Sequence, residues 1–336
     1  MCEAMSEGLE KAGVGCERRE FSTFDGKGVP SVSSGILGGI DQVFKSCRYN
    51  GVEWWCLDNG FFKHRHYDGY YRIGYCHLQP RFNKNASVSA SRWEALKLPV
   101  KPWKINPNGH IIVCPPSIPL CWFYGENPKE WIDSVVARIP VQYRDRVVVR
   151  TKQDRVKSTA QEAYKNAKCV IVHSSRVGVE ALQDGIPAIA DRGTLAGWSG
   201  FGPEQIDEDF TKLDRNRLFH YMAWCQFTLR EIRAGVSWKA LFSLQAEIGV
   251  PLPERIPEAE PWKWDRLPCH EYIFPHKDKD HLNVCARCGK GHIVIGMCWS
   301  FEMPRHCKAC CTSKNKWVGR GPIVRKRKGE LRGSKG

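Results

Sequence analysis

From His110 to Ala190, short apolar runs alternate with segments of helical spacing, and this alternation constrains the fold more than any other feature of the chain. The runs are HIIVC, the valines of DRVVVRTK, KCVIV and IPAIA; between them stand PKEWIDSVVARI, STAQEAYKNA and RVGVEALQDG. A strand that is apolar along its whole length is buried on both faces, which happens when helices cover a parallel sheet from either side. Each intervening helix then serves as a crossover. A shorter series precedes this one. VPSVSSGILGG reads as a strand opening into a glycine-bearing turn, DQVFKSC as a helix, and VEWWCLDNG as a strand ending in an Asp-Asn-Gly turn. The stretch from Phe61 to Trp103 reads as a loop-rich insertion or interdomain crossing. The expected fold class is α/β, with two Rossmann-like halves facing a cleft. A helical extension follows Gly202, where DRNRLFHYMAWCQFTLREI carries apolar residues at three- and four-residue spacing and SWKALFSLQAEIG continues it.

The C-terminal segment is built differently. Residues 251–275 hold six prolines, a composition that resists regular structure and acts as a stiff linker. Beyond it, Cys285-x2-Cys288 and Cys307-x2-Cys310 have the spacing of two zinc knuckles, each presenting two thiolates to one tetrahedral ion. Four protein ligands make such a zinc structural. A disulfide pair is the alternative, and Cys298, His306 and Cys311 are possible substitute ligands. The chain ends in RKRKGELRGSKG. Of a formal net charge of +15, the segment from Lys277 onward carries 15 Lys and Arg against 4 Asp and Glu, a net of +11. Charge concentrated in this way points to a polyanionic partner, with nucleic acid first, and to binding through phosphates with little sequence preference. RKRK also reads as a nuclear address, and a solvated tail with no partner is the plain alternative. Expected boundaries are 1–105 and 106–250 for the two halves, 251–275 for the linker, 276–318 for the ribbon and 319–336 for the tail. No run reaches the roughly 18 to 20 apolar residues that span a bilayer. MCEAMSEGLEK has acids where a signal peptide needs positive charge, so the expected location is cytoplasmic.

Lys168 to Ala190 carries the chemistry of the larger body. A buried strand ends at His173, Ser174 and Ser175 occupy the turn, and a helix begins whose free N–H groups and dipole favour a phosphate. Glu180 lies about one and a half turns into that helix, where it can accept hydrogen bonds from ribose hydroxyls. Equally, the serines can be plain helix caps and Glu180 a solvated residue.

The string EALQDGIP after a strand-Ser-Ser turn resembles the E-A-x-x-x-G-x-P element of the nucleotide-sugar domain of GT-B glycosyltransferases. With WWCLDNGFF, YYRIG and WCQFTLREIRAG, the chain is similar to a bacteriophage-encoded group of glycosyltransferase-like proteins, which would place it in the host cytoplasm. The resemblance implies an acceptor-side first half and a donor-binding second half. It implies that Ser174 and Ser175 contact the donor diphosphate, that Glu180 meets the ribose, and that Arg150 and Lys152 neutralise phosphate charge. No D-x-D motif stands in a suitable place, so a metal-independent mechanism is expected. Asp58 at its strand end is the first candidate for the base that activates the acceptor, and His64 and His66 come next; Asp58 as a turn residue and the histidines as a solvated loop are the plain readings. Arg72 either binds an anion or snorkels at the surface. With the ribbon and the basic tail, the sharpest expectation is sugar transfer from a nucleotide sugar to a modified base in phage DNA. The alternatives are a non-catalytic GT-B-like protein that binds nucleic acid or another partner, and an enzyme acting on polysaccharide.

Overall fold

The structure, a computed structural model, describes residues 1–17, 30–36, 40–63, 69–151, 154, 159–248, 283–284 and 291–292. The first part of the chain runs α1 (Cys2–Lys11), β1 (Ser31–Ser34), α2 (Ile40–Asn50), β2 (Trp54–Asn59), β3 (Tyr70–Tyr75) and α3 (Ser91–Leu96). β1 and β2 pair in parallel, with α2 between them in the chain. β3 then turns back and pairs antiparallel with β2, placing Asp58 opposite Arg72. Two elements thus stand in the stretch read from sequence as loop-rich. The polar residues that hid the strand are accounted for: Arg72 is only 9% exposed because Asp58 answers its charge across the ladder, at 2.5 Å.

The second series follows as β4 (His110–Cys114), α4 (Ile118–Tyr124), α5 (Pro128–Arg138), β5 (Val147–Val149), α6 (Ala160–Tyr164), β6 (Ala167–Val172), α7 (Arg176–Gln183), β7 (Ala188–Ala190) and α8 (Gly193–Ser199). All its strands are parallel, in the order β5-β4-β6-β7. Successive residues serve opposite faces, as the strand period demands. Ile111, Val113, Cys169, Ile171 and Ile189 pack with Trp131 and Val135 of α5. Ile112, Val170, Val172, Ala188 and Ala190 pack with Ala181 and Leu182 of α7. Gly178 lets α7 lie close, since a Cβ there would meet Leu195 Cδ2 at 2.7 Å and Val172 Cγ2 at 3.1 Å. Gly185 ends α7 at φ +86°, left-handed backbone that glycine adopts without steric cost, and a Cβ there would fall on the Pro102 carbonyl oxygen.

The final part departs from the helical reading. α9 (Arg215–Trp224) is followed by a strand, β8 (Gln226–Thr228), before α10 (Leu229–Arg233) and α11 (Val236–Ile248). A capping box starts α10 afresh: Thr228 Oγ1 accepts the Glu231 N–H, and Glu231 accepts the Thr228 N–H at 2.8 Å. β8 pairs antiparallel with β3, so the first sheet is ordered β1-β2-β3-β8. The first half is therefore a mixed sheet with one parallel pair, in place of the expected Rossmann-like series. Phe227, Ile232, Trp238 and Leu241 bury against Trp55, Leu57 and Ile73, with Met5 and Leu9 of α1 completing that cluster. Residues from Gln226 to Phe242 thus belong to the packing of the first sheet, although the sequence boundaries grouped them with the second.

Residues Met1–Pro261 form one compact unit and Trp262–Gly336 another. In the second, β9 (Asn283–Val284) and β10 (Gly291–His292) pair antiparallel, bringing Val284 opposite Gly291. Cys285, Cys288, Cys307 and Cys310, the proline-rich linker and the basic tail lie outside the described residues, so the structure does not bear on the zinc ribbon. Among the described residues, no helix is long and apolar enough to cross a membrane.

Candidate anion-binding crevice

At the C-terminal edge of the parallel sheet, β6 ends at Val172 and the chain passes through His173 and Ser174 to Ser175, the N-cap of α7. Beyond β7, the Asp191 and Arg192 N–H groups donate to the carbonyls of Val172 and His173 at 3.1 and 2.8 Å, clipping the two strand ends together. The loop after β3 supplies Gln79, whose Nε2 donates to the Ser174 carbonyl, and the Pro80 carbonyl, which accepts the Thr194 hydroxyl at 2.5 Å. Between these segments and the first sheet lies a narrow crevice, about 220 Å3 when the open solvent at its mouth is counted. Ligands of open α/β sheets bind at this edge.

Its polar lining comprises Arg72, Gln79, Ser174, Ser175, Arg176 and Arg192, with Phe61, Val179, Leu195 and Met222 among its apolar walls. Three arginines thus line the space, and among the described residues no acidic residue does. Each has one acidic partner elsewhere: Arg72 meets Asp58 at 2.5 Å, Arg176 meets Glu180 at 2.9 Å and Arg192 meets Glu126 at 2.5 Å. A guanidinium carries five N–H donors, so one carboxylate leaves capacity for an oxyanion. Arg72 also stacks on Phe61 at 5.2 Å and Arg192 on Tyr124 at 4.6 Å, contacts that hold the planar groups in place. The helix amides contribute less than their position promises. Ser175 Oγ accepts the Val177 N–H at 3.3 Å, and the Ser175 carbonyl accepts that of Gly178 at 3.2 Å.

The ground beneath the crevice is dry enough to shift its titratable groups toward their neutral forms. His173 is 1% exposed, and burial lowers its pKa below the usual histidine value, with Glu126 opposing that shift. Burial is also the largest influence on His77, which with the help of Arg81 is held down to about 4. It pushes the Tyr124 phenol up to about 12, against the pull of Arg192 and Arg48.

The residues singled out from sequence divide accordingly. Ser174 and Ser175 line the crevice, and so does Arg72, which is 9% exposed rather than at the surface and whose guanidinium is held by Asp58. His173 lies beneath it. Glu180 is not brought into the crevice, because its Oε1 is taken by Arg176 one turn back on the same helix face. Arg150 is buried just after β5, an edge strand separated from β6 by β4, and is not among the lining side chains. Asp58 stands near the end of β2, its Oδ2 on Arg72 and its Oδ1 accepting the Asn59 N–H; it does not line the crevice itself but contacts Arg72, which does. His64, His66 and Lys152 lie outside the described residues. Sequence reasoning missed Gln79, Glu126, Arg176 and Arg192. Arg176 and Arg192 could have been found, since each directly follows a turn at a strand's C-terminal end; Gln79 and Glu126 come from loops that only the packing aims at the site.

Compared with known proteins, the chain matches no family model and no curated protein.

Proposed function

We propose that the chain is a glycosyltransferase-like enzyme that takes a nucleotide-sugar donor, with the donor's diphosphate against Arg72, Arg176 and Arg192 and the Ser174–Ser175 turn. The observation that supports this is a crevice at the C-terminal edge of a parallel sheet that, among the described residues, is lined by three arginines and no acid. Breaking the bond between sugar and diphosphate leaves charge on the phosphate oxygens, and preorganised guanidinium groups stabilise that charge as it develops. The acceptor hydroxyl gives its proton to a base, for which Asp58 remains the candidate, held in orientation by Arg72. The proposed acceptor is nucleic acid, a modified DNA base, reached through a zinc ribbon on Cys285, Cys288, Cys307 and Cys310 and through the basic tail.

A second reading draws on size. The crevice as it stands is narrow, its enclosed part about the size of one water, so a nucleotide sugar enters only if the lining moves apart. That favours a non-catalytic anion-binding protein. One experiment separates the two: the full-length protein and its Arg192→Met variant are incubated with a panel of nucleotide sugars, and binding and hydrolysis are measured. Binding with turnover that the substitution lowers at least tenfold supports the enzyme. Affinity for the nucleotides without turnover supports the binding protein, and silence across the panel removes the donor site.

A further inference from the structure

Three side chains in line run from the crevice through a buried histidine to a partly exposed carboxylate. Glu126 Oε2 lies 2.9 Å from Nε2 of His173, and Nδ1 of the same ring lies 3.1 Å from Oγ of Ser174, which lines the crevice. Tyr124 and Trp131 wall the ring at centroid distances of 5.3 and 5.9 Å. A carboxylate only accepts. The neutral ring must therefore keep its proton on Nε2, and Nδ1 must accept the proton of the Ser174 hydroxyl. In that state Ser174 turns lone pairs toward the crevice, where they oppose an oxyanion. When both ring nitrogens carry protons, Nδ1–H donates to Oγ, and the hydroxyl proton is free to point at a bound anion.

We propose that Glu126 and His173 are positioning residues that make Ser174 a proton-gated donor, so that a phosphate-type oxyanion enters the crevice together with one proton, which resides on His173. The inference deepens the donor reading and rests on it for the ligand's identity as a diphosphate; the gating itself needs only the crevice. The charged and titratable groups facing the ring are Glu126 from the segment after α4, Asp191 and Arg192 from the segment after β7, and the Tyr124 phenol from α4. Glu126 and Asp191 favour the protonated ring; burial and Arg192 oppose it. Arg192 is shared, since it pairs with Glu126 and lines the crevice. An anion there offsets the Arg192 charge and so removes part of the opposition to protonating His173. His77, held to about 4, stays neutral through the same pH range.

Sulfate is the suitable probe, because its charge, unlike that of phosphate, does not change across the neutral range. Calorimetry on the full-length protein, in buffers of different ionisation enthalpy, measures affinity and proton uptake together. Affinity rises as pH falls, by at most about tenfold per pH unit for one linked proton, with up to one proton taken up per sulfate. Ser174→Ala and Glu126→Gln flatten that dependence while leaving weak binding. A ligand-independent arm reads the nitrogen-15 shifts of the His173 ring: Nε2 protonated and Nδ1 bare is the expected tautomer, and the reverse overturns the proposal. An unchanged pH slope in Ser174→Ala, or sulfate binding without proton uptake, overturns the gating and leaves the donor reading standing. Sulfate binding with uptake but no affinity for any nucleotide sugar keeps the gating and removes the donor reading. No sulfate binding at any pH overturns both.

Discussion

Acidifying the protein should unfold it partly through His77, and His77→Asn should remove that share. The ring sits where the first sheet meets the cationic edge of the second, with Arg81, Arg192 and Arg48 acting on it, and burial and those charges lower its pKa from 6.5 to about 4. The unfolded chain then binds a proton that the folded chain refuses between these two values. Stability therefore falls as pH drops through 6.5, and the loss is complete near 4. Taken from pH 7.5 to pH 5, that difference is worth about 2 kcal/mol, an upper figure because the ring keeps some solvent contact. The Asn side chain can still offer an oxygen where His77 Nδ1 accepts the Gln79 N–H at 3.2 Å. Urea unfolding of both proteins at the two pH values gives a double difference that cancels every other histidine. A variant that loses as much stability as the parent between pH 7.5 and pH 5 would refute the argument.

Gly185→Ala should destabilise the protein by at least about 1–2 kcal/mol, the cost of left-handed backbone with a Cβ, and by more because that Cβ meets the Pro102 carbonyl; a melting temperature equal to the parent's would contradict the role given to Gly185. Phe227→Ala should cost about 3–5 kcal/mol, since the ring is 0% exposed in the cluster that joins β8 to the first sheet. If denaturant titration finds less than about 1 kcal/mol, β8 does not pack as described. Cys285→Ser with Cys288→Ser should reduce zinc from one ion per chain to none, as elemental analysis of the purified protein would show; full zinc content would end the ribbon assignment.

How much was legible in advance follows from where each signal resides. The apolar runs at His110, Lys168 and Ile186 are buried along most of their length, and their crossover helices are regular enough in period to fix a parallel sheet from local pattern alone; the valines of β5 form the expected strand but not the expected burial, because β5 is the sheet edge and Val148 and Val149 are 45% and 40% exposed. Ser174 and Ser175 were legible for the same reason, since a turn between a buried strand and a helix has few places to go. β3 and β8 were not. Their polar residues read as loop or helix until Arg72 finds Asp58 across the ladder and Gln226 Oε1 accepts the Phe62 N–H at 3.0 Å, contacts between residues far apart in sequence. The crevice depended on tertiary structure still more. Arg72, Arg176 and Arg192 come from a strand, a helix start and a strand end, and nothing local says that they converge or that their carboxylate partners stay outside the lining. Glu180 makes the reverse case: its helical position was right, but a neighbour one turn away took its carboxylate. The sequence determined the elements whose burial is periodic; tertiary structure decided which charges share a space, because a charge is placed by partners that the chain brings from elsewhere.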